Sequence, residues 1–239
     1  FEGQIFKQSR HKIHVIPPHS SWIDGRPPKE WQRLMAVDVG GSSPWAFLWC
    51  AVDPAGNLVF YDEIYKVSTN VDELAGLALP KMVDEDRQPY QFKAKVIDYE
   101  NKIAATDLQR RGITLTNAAK HGKSASIQRL SSYLHPNLKH HFPEYHPMFG
   151  QSNAPRCFIT SNCRNFIREI PQQRWLEQAN FTKDEPDRRI PNHAVDCALY
   201  VSREVPDARD LKPSVYVSNT QQSPISLMSR LYWADRKRH

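Results

Sequence analysis

The tightest constraint in this chain is a short apolar run that carries one carboxylate. Leu34-Met35-Ala36-Val37-Asp38-Val39 is too short for a helix and is stopped by Gly40-Gly41, so it reads as a buried strand. An aspartate at the mouth of a buried strand is costly unless something pairs with it. The pattern recurs at Lys95-Val96-Ile97-Asp98, a later strand that also ends on an acid. Between them, Trp45–Val52 and Leu58–Tyr65 are strands joined by Asp53-Pro54-Ala55-Gly56-Asn57. In that turn proline presets φ and glycine supplies a positive one. The first three of these strands form an antiparallel meander.

Helices punctuate the rest of the chain. Asn70-Val71-Asp72-Glu73 has the form of a capping box, with the ensuing helix ended or kinked at Pro80. Lys102–Arg111 is a helix closed by Gly112, and Ile113–Leu115 a short strand. Ser124 opens a helix through Leu134. Residues 135–155, with His135, His140, His141, His146 and several prolines, read as loop. Arg156–Thr160 is a strand, Arg164–Ile170 a short helix or turn, and 182–191 a charged loop. Asn192–Glu204 is the last helix, and a further strand is expected at Lys12–Ile16. The order β-β-β-α-β-α-β-α predicts an α/β domain with a central mixed β-sheet flanked by helices.

Composition narrows the class. Lysine plus arginine number 32 against 26 acids, a net charge of +6 on 239 residues, which admits a polyanionic partner without requiring one. Hydrophobic residues at 40% and charged residues at 24% exclude a disordered tail, a collagen repeat or a coiled coil. No run approaches the roughly 18 apolar residues of a membrane span, and no secretory leader opens the chain. Cys50, Cys157, Cys163 and Cys197 form no CxxC pair, which fits a reducing compartment better than a disulfide scaffold. Phe1 at the start suggests a piece of a longer protein. His121-Gly122-Lys123-Ser124 resembles the end of a phosphate-binding loop, but position 117 is Asn117 where the first glycine is required.

The chemistry rests on three acids. Asp38 and Asp98 end strands that would be parallel neighbours, and Asp196 lies one turn into the last helix among apolar residues. Any one of them alone reads more readily as a helix cap or a turn former. As a set they would repel one another, and hard divalent ions such as Mg2+ or Mn2+ are the natural solution. That arrangement is a two-metal nuclease site. Glu100, two residues past Asp98, is a candidate further acid or a solvated loop residue. His193, on the same helix face as Asp196, either contacts a phosphate or metal-bound water or caps the helix. Lys120, His121 and Lys123 precede a helix and suit DNA phosphate contact, or form a solvated basic loop.

Leu34–Gly41 (LMAVDVGG), the strand-turn-strand through Gly56-Asn57-Leu58, Val96-Ile97-Asp98 and Pro191–Tyr200 (PNHAVDCALY) together resemble the nuclease domain of the large terminase subunit of tailed bacteriophages. The last segment is similar to that family's C-terminal acidic motif, with Leu199 where many relatives carry arginine. Asp98 is followed by Tyr99-Glu100 in place of the commoner Pro-Ala type of turn. Phe1-Glu2-Gly3 resembles the lead-in from the ATPase part. The resemblance covers residues 1–204 and implies an RNase H-like fold. It implies metal-dependent endonuclease cleavage of double-stranded viral DNA concatemers during genome packaging, with two Mg2+ or Mn2+ ions. Asp38 would bridge both ions, and Asp98 and Asp196 would hold one each. It further implies an N-terminal ATPase in the full chain, the small terminase subunit and the portal as partners, no membrane, and work in the host cytoplasm on the procapsid. The expected organisation is an entry segment (1–33), the nuclease domain (34–205) and a C-terminal basic tail (206–239) ending in Arg236-Lys237-Arg238, a stretch open to portal or DNA contact. The rival readings are another RNase H-like nuclease, such as a resolvase or transposase core, or a non-catalytic DNA-binding or motor-docking module.

Overall fold

A computed structural model describes residues 3–98, 100–118, 122–178 and 181–212. In chain order the elements are α1 (His11–His14), β1 (Val15–Ile16), β2 (Gln32–Asp38), β3 (Trp45–Val52), β4 (Leu58–Lys66), α2 (Val71–Ala78), β5 (Phe92–Ile97), α3 (Lys102–Arg110), β6 (Thr116–Asn117) and α4 (Lys123–Leu134). They continue with β7 (Asn137–His141), β8 (Ser152–Ala154), β9 (Cys157–Thr160), α5 (Arg164–Glu169), β10 (Trp175–Gln178), β11 (Phe181–Pro186) and α6 (His193–Arg203). Among the described residues no helix is long and apolar enough to cross a membrane.

The main sheet runs β1-β9-β4-β3-β2-β5-β6. β2, β3 and β4 form the antiparallel meander, and β5 joins the other side of β2 in parallel. β9 pairs with β4, and β1 with β9, both parallel. This is a mixed sheet flanked by helices with the RNase H-like order.

Successive side chains of a strand point to opposite faces, and both faces of this sheet are covered. On one face Leu34 and Ala36 of β2, Leu48 of β3 and Val96 of β5 pack against Leu130 of α4, Phe166 of α5 and Val195 and Ala198 of α6. On the other, Met35, Val37, Phe47, Trp49 and Ile97 pack against Leu74 and Ala78 of α2 and Leu108 of α3. Each large side chain fully buried this way contributes about 1.5–3 kcal/mol. The Asp53 turn forms as its sequence demands. Gly56 has φ +84°, and Asp53 Oδ1 accepts from the amides of Ala55 and Asn57, both at 2.8 Å.

Four local expectations need correction. Lys12–Ile16 is not one strand. His11–His14 turn as a helix because the buried His14 ring reaches the carbonyls of Cys157 and Gln8, both at 3.0 Å, leaving Val15–Ile16 to pair. The edge strand falls at Thr116–Asn117 and not at Ile113–Leu115, because Ile113 is drawn into the core beside Leu108. The stretch 135–155 holds the antiparallel pair β7–β8, with Pro143 and Pro147 in the excursion between the strands rather than within them. The stretch 182–191 is not all loop, since β11 pairs with β10 over Phe181–Pro186. Strand pairing over such polar residues leaves no apolar alternation to read.

The 142–146 excursion folds inward. The His146 ring lies 4.3 Å from that of Phe142 and 5.4 Å from that of Phe158 (centroid to centroid). Burial pushes both His140 and His146 down to about 4 from an ordinary 6.5, and Arg156 adds to the effect at His140. At these two histidines the unfolded chain binds more protons than the folded one between those values, whereas the raised carboxyl of Asp196 acts in the opposite sense below about 6. With two histidines against that carboxylate, stability falls as pH drops from about 6.5 to about 4. Thermal melts across that interval check this; a melting temperature that is flat or rises on acidification contradicts it.

Candidate active site

The pleat decides where the strand-end acids point. Asp38 shares the parity of Leu34 and Ala36, and Asp98, the residue after β5, shares that of Val96. Both therefore face the side covered by α6. The parallel register pairs Val37 with Ile97, so Asp38 and Asp98 follow as lateral neighbours. The backbone past Asp38 must turn sharply. A Cβ on Gly40 would lie 2.0 Å from the Ser43 carbonyl oxygen, so only glycine fits there.

The third acid is delivered by α6, which packs across the same face through Ala194, Val195, Ala198 and Val201. Its start is held by a buried carboxylate from elsewhere. Glu169, at the end of α5, accepts from the amides of Ala194 (2.8 Å) and Val195 (3.3 Å) through Oε2. Its Oε1 accepts from the Tyr65 hydroxyl on β4 at 2.5 Å. A negative charge at a helix N-terminus satisfies free amides and opposes the helix dipole. Glu63 on β4 serves α5 in the same manner, accepting from the amides of Asn165 (2.7 Å) and Phe166 (3.1 Å). Cys197 Sγ adds a contact to the Ala46 carbonyl of β3 at 3.4 Å.

Each of the three aspartates carries its own set of donors. His193 Nδ1 lies 2.6 Å from Asp38 Oδ2, and that carboxylate holds the imidazole above its ordinary pKa against the opposing effect of burial. Lys123 Nζ is 2.7 Å from Asp196 Oδ1, and Asn192 Nδ2 donates to Asp196 Oδ2 at 2.9 Å. The Tyr200 hydroxyl donates to Asp98 Oδ2 and the Glu100 amide to Asp98 Oδ1, each at 3.1 Å. Burial pushes Asp196 up to about 6, with Asp38 adding to the rise and Lys123 opposing it. The Tyr200 hydroxyl is raised by burial and then by Asp196, Asp38 and Asp98, so one hydroxyl feels all three acids.

The structure thus gathers Asp38, Asp98 and Asp196 and places His193 among them. The His193 ring turns to Asp38 and does not cap the helix, whose free amides go to Glu169. Glu100 is exposed and reaches Asp98 through its backbone amide. Lys123 begins α4 and ends on Asp196, whereas Lys120 and His121 lie outside the described residues, as do Phe1, Glu2 and the tail from 213 on. Sequence reasoning missed Glu169, Tyr65, Asn192 and Tyr200. The one available signal for Glu169 was its spacing: it falls three residues after Phe166 and just before Ile170, on the apolar face of α5. Among the described residues no three His, Cys, Asp or Glu side chains form a preassembled metal cage. The donor set is nonetheless all carboxylate oxygen at a partly buried spot, each carboxylate now engaged by an imidazole, an ammonium or a phenol hydroxyl. That is the chemistry a hard divalent ion accepts.

The comparisons with known proteins bear on the fold. The P22 large terminase nuclease domain superposes with TM-score 0.61 at 14% identity, over 87% of this chain and 97% of that one. The nuclease of the large terminase from thermophilic phage G20c, with bound cobalt, matches at TM-score 0.52 and 10% identity, over 85% and 98% of the two chains. A longer large terminase from another thermophilic bacteriophage, in complex with ADP, matches at TM-score 0.62 and 16% identity, over 84% of this chain. The match spans 44% of the length of that longer terminase. No protein-family model and no curated protein sequence matches. The chain has the RNase H-like fold of the nuclease domain of phage large terminases.

Removing the Glu169 cap tests how α6 is held. Glu169→Ala strands two buried amides and the Tyr65 hydroxyl, and each such group costs about 1–3 kcal/mol. Taking the low end for each of the three groups, the expected loss is about 3 kcal/mol in all, or roughly 6–12 °C in melting temperature. Glu169→Gln, which keeps an acceptor oxygen, should lose less than half of that by calorimetry.

Proposed function

We propose that this chain is a divalent-metal-dependent endonuclease domain of a phage large terminase, cutting double-stranded viral DNA concatemers during genome packaging. The observation that carries this reading is the gathering of Asp38, Asp98 and Asp196 on the α6 face of a terminase-nuclease fold. In this reading the three aspartates hold two Mg2+ or Mn2+ ions. The bound G20c metals, cobalt and magnesium, support a divalent ion of this hardness. Such ions, when bound, activate water and stabilise the leaving oxygen of a phosphodiester.

The chain's own residues supply orientation. His193 holds the Asp38 carboxylate from one side, Asn192 holds Asp196, and Tyr200 with the Glu100 amide fixes both oxygens of Asp98. Partners of this kind orient the carboxylates that would hold the metal. Lys123, with Lys120 and His121 just before it in the chain, is the proposed contact to the DNA backbone. Such contacts carry no base information, so cleavage shows little sequence preference. We further propose that residues 34–205 form the nuclease unit, with 1–33 and 206–239 as its extensions. The full protein would carry an ATPase N-terminal to it and work with the small subunit and the portal, on the procapsid in the host cytoplasm.

The test is nicking of supercoiled plasmid in Mn2+. The protein relaxes and then linearises the plasmid, and chelation stops it. Asp38→Ala, Asp98→Ala and Asp196→Ala each fall to background while keeping the wild-type melting profile. A wild-type protein that leaves the plasmid intact, or an Asp38→Ala variant as active as wild type, overturns the reading.

A further inference from the structure

We propose that Lys123 is a positioning residue that keeps divalent metal off Asp196 until DNA is seated: its ammonium pairs with Asp196 in the free protein and moves to a DNA phosphate in the complex, so that metal and DNA bind cooperatively. The proposal rests on the metal-dependent reading above and adds the order in which the site is loaded.

The geometry is that of an occupied ligand. Asp196 Oδ1 lies 2.7 Å from Lys123 Nζ, and Oδ2 accepts from Asn192 at 2.9 Å, so both oxygens are engaged. A small divalent ion sits about 2.0–2.1 Å from a carboxylate oxygen. An ammonium on that same oxygen and a metal ion beside it are like charges in near contact, only partly screened by water. One of the two must leave.

Lys123 is built to leave and Asp196 is not. The lysine side chain is 41% exposed and the aspartate 17%. Lys123 stands at the first position of α4, after Gly122, on a flexible four-carbon stem. Asp196 is in the first turn of α6, which Glu169 and the apolar face hold in place. The imidazole at the site, His193, lacks this freedom: its ring lies 6.1 Å from that of Tyr65, edge to face, with the side chain 19% exposed. A released ammonium needs a new anion, and the phosphates of a bound duplex supply one at the same place. Coupling of this kind is reciprocal, so DNA tightens metal binding by the factor that metal tightens DNA binding.

The experiment is isothermal titration of Mn2+ into wild type, Lys123→Met and Lys123→Arg, each with and without a phosphorothioate duplex that resists hydrolysis. Without DNA, Lys123→Met binds Mn2+ about tenfold more tightly than wild type, the size expected for removing one partly screened charge at contact distance. The duplex tightens Mn2+ binding to wild type and leaves Lys123→Met unchanged. Lys123→Arg, which keeps the charge, follows wild type. Equal Mn2+ affinity for wild type and Lys123→Met, or a duplex effect that survives the methionine, overturns the proposal while leaving the nuclease reading intact. No Mn2+ binding by any of the three, or binding undiminished in Asp196→Asn, sinks the metal reading and this proposal with it.

Discussion

A sheet covered on both faces leaves a strand-end carboxylate no neutral place to go. The pleat sends it to one layer or the other, and the neighbours it meets there are set many residues away. In this protein the even-numbered side chains of β2 and β5 enter the layer of α4, α5 and α6. Asp38 and Asp98 follow them, one residue beyond the last apolar position of each strand. A one-residue slip of β5 against β2 would turn Asp98 into the opposite layer, among the apolar side chains of α2 and α3. The register of one parallel strand pair therefore carries the geometry of the whole site.

The third acid arrives by a different device. Helix α6 is placed by packing, but its axial position is fixed by Glu169, whose charge sits on its first free amides. Glu169 is itself held by Tyr65 on β4, and α5 is started by Glu63 on that same strand. A line of carboxylate-to-amide contacts thus runs from β4 through α5 to α6, linking one strand to the helix that presents Asp196. A buried acid and a half-buried one, neither with a chemical role in the proposed reaction, set where a third one stands.

Much of this was legible beforehand. β3 matches its sequence limits, because an apolar run with a proline before it and a proline-glycine turn after it has one plausible reading. The neighbouring of Asp38 and Asp98 followed from strand order, and the place of Asp196 from its apolar helical surroundings. The supporting groups were not legible, because each depends on a contact far along the chain. Tyr65 and Glu169 are 104 residues apart, and His193 and Asp38 are 155 apart. Nothing in a local window distinguishes Lys123 bound to Asp196 from a lysine in solvent. The strands in 137–154 and 175–186 escaped for the opposite reason: they are short and largely polar in sequence, and strand pairing defines them.

The wide spacing of the gathered acids bears on how the protein is made. Asp38, Asp98 and Asp196 come from the beginning, middle and end of the described chain, and α6 is its last long helix. The meander can close early, since its strands are joined by short turns, but it holds only one of the three gathered aspartates. The layer that brings in the third cannot form until α5 and α6 have both been synthesised and docked. Assembly of the acidic cluster is consequently a late event of folding, and a nascent or truncated chain carries a sheet without a site.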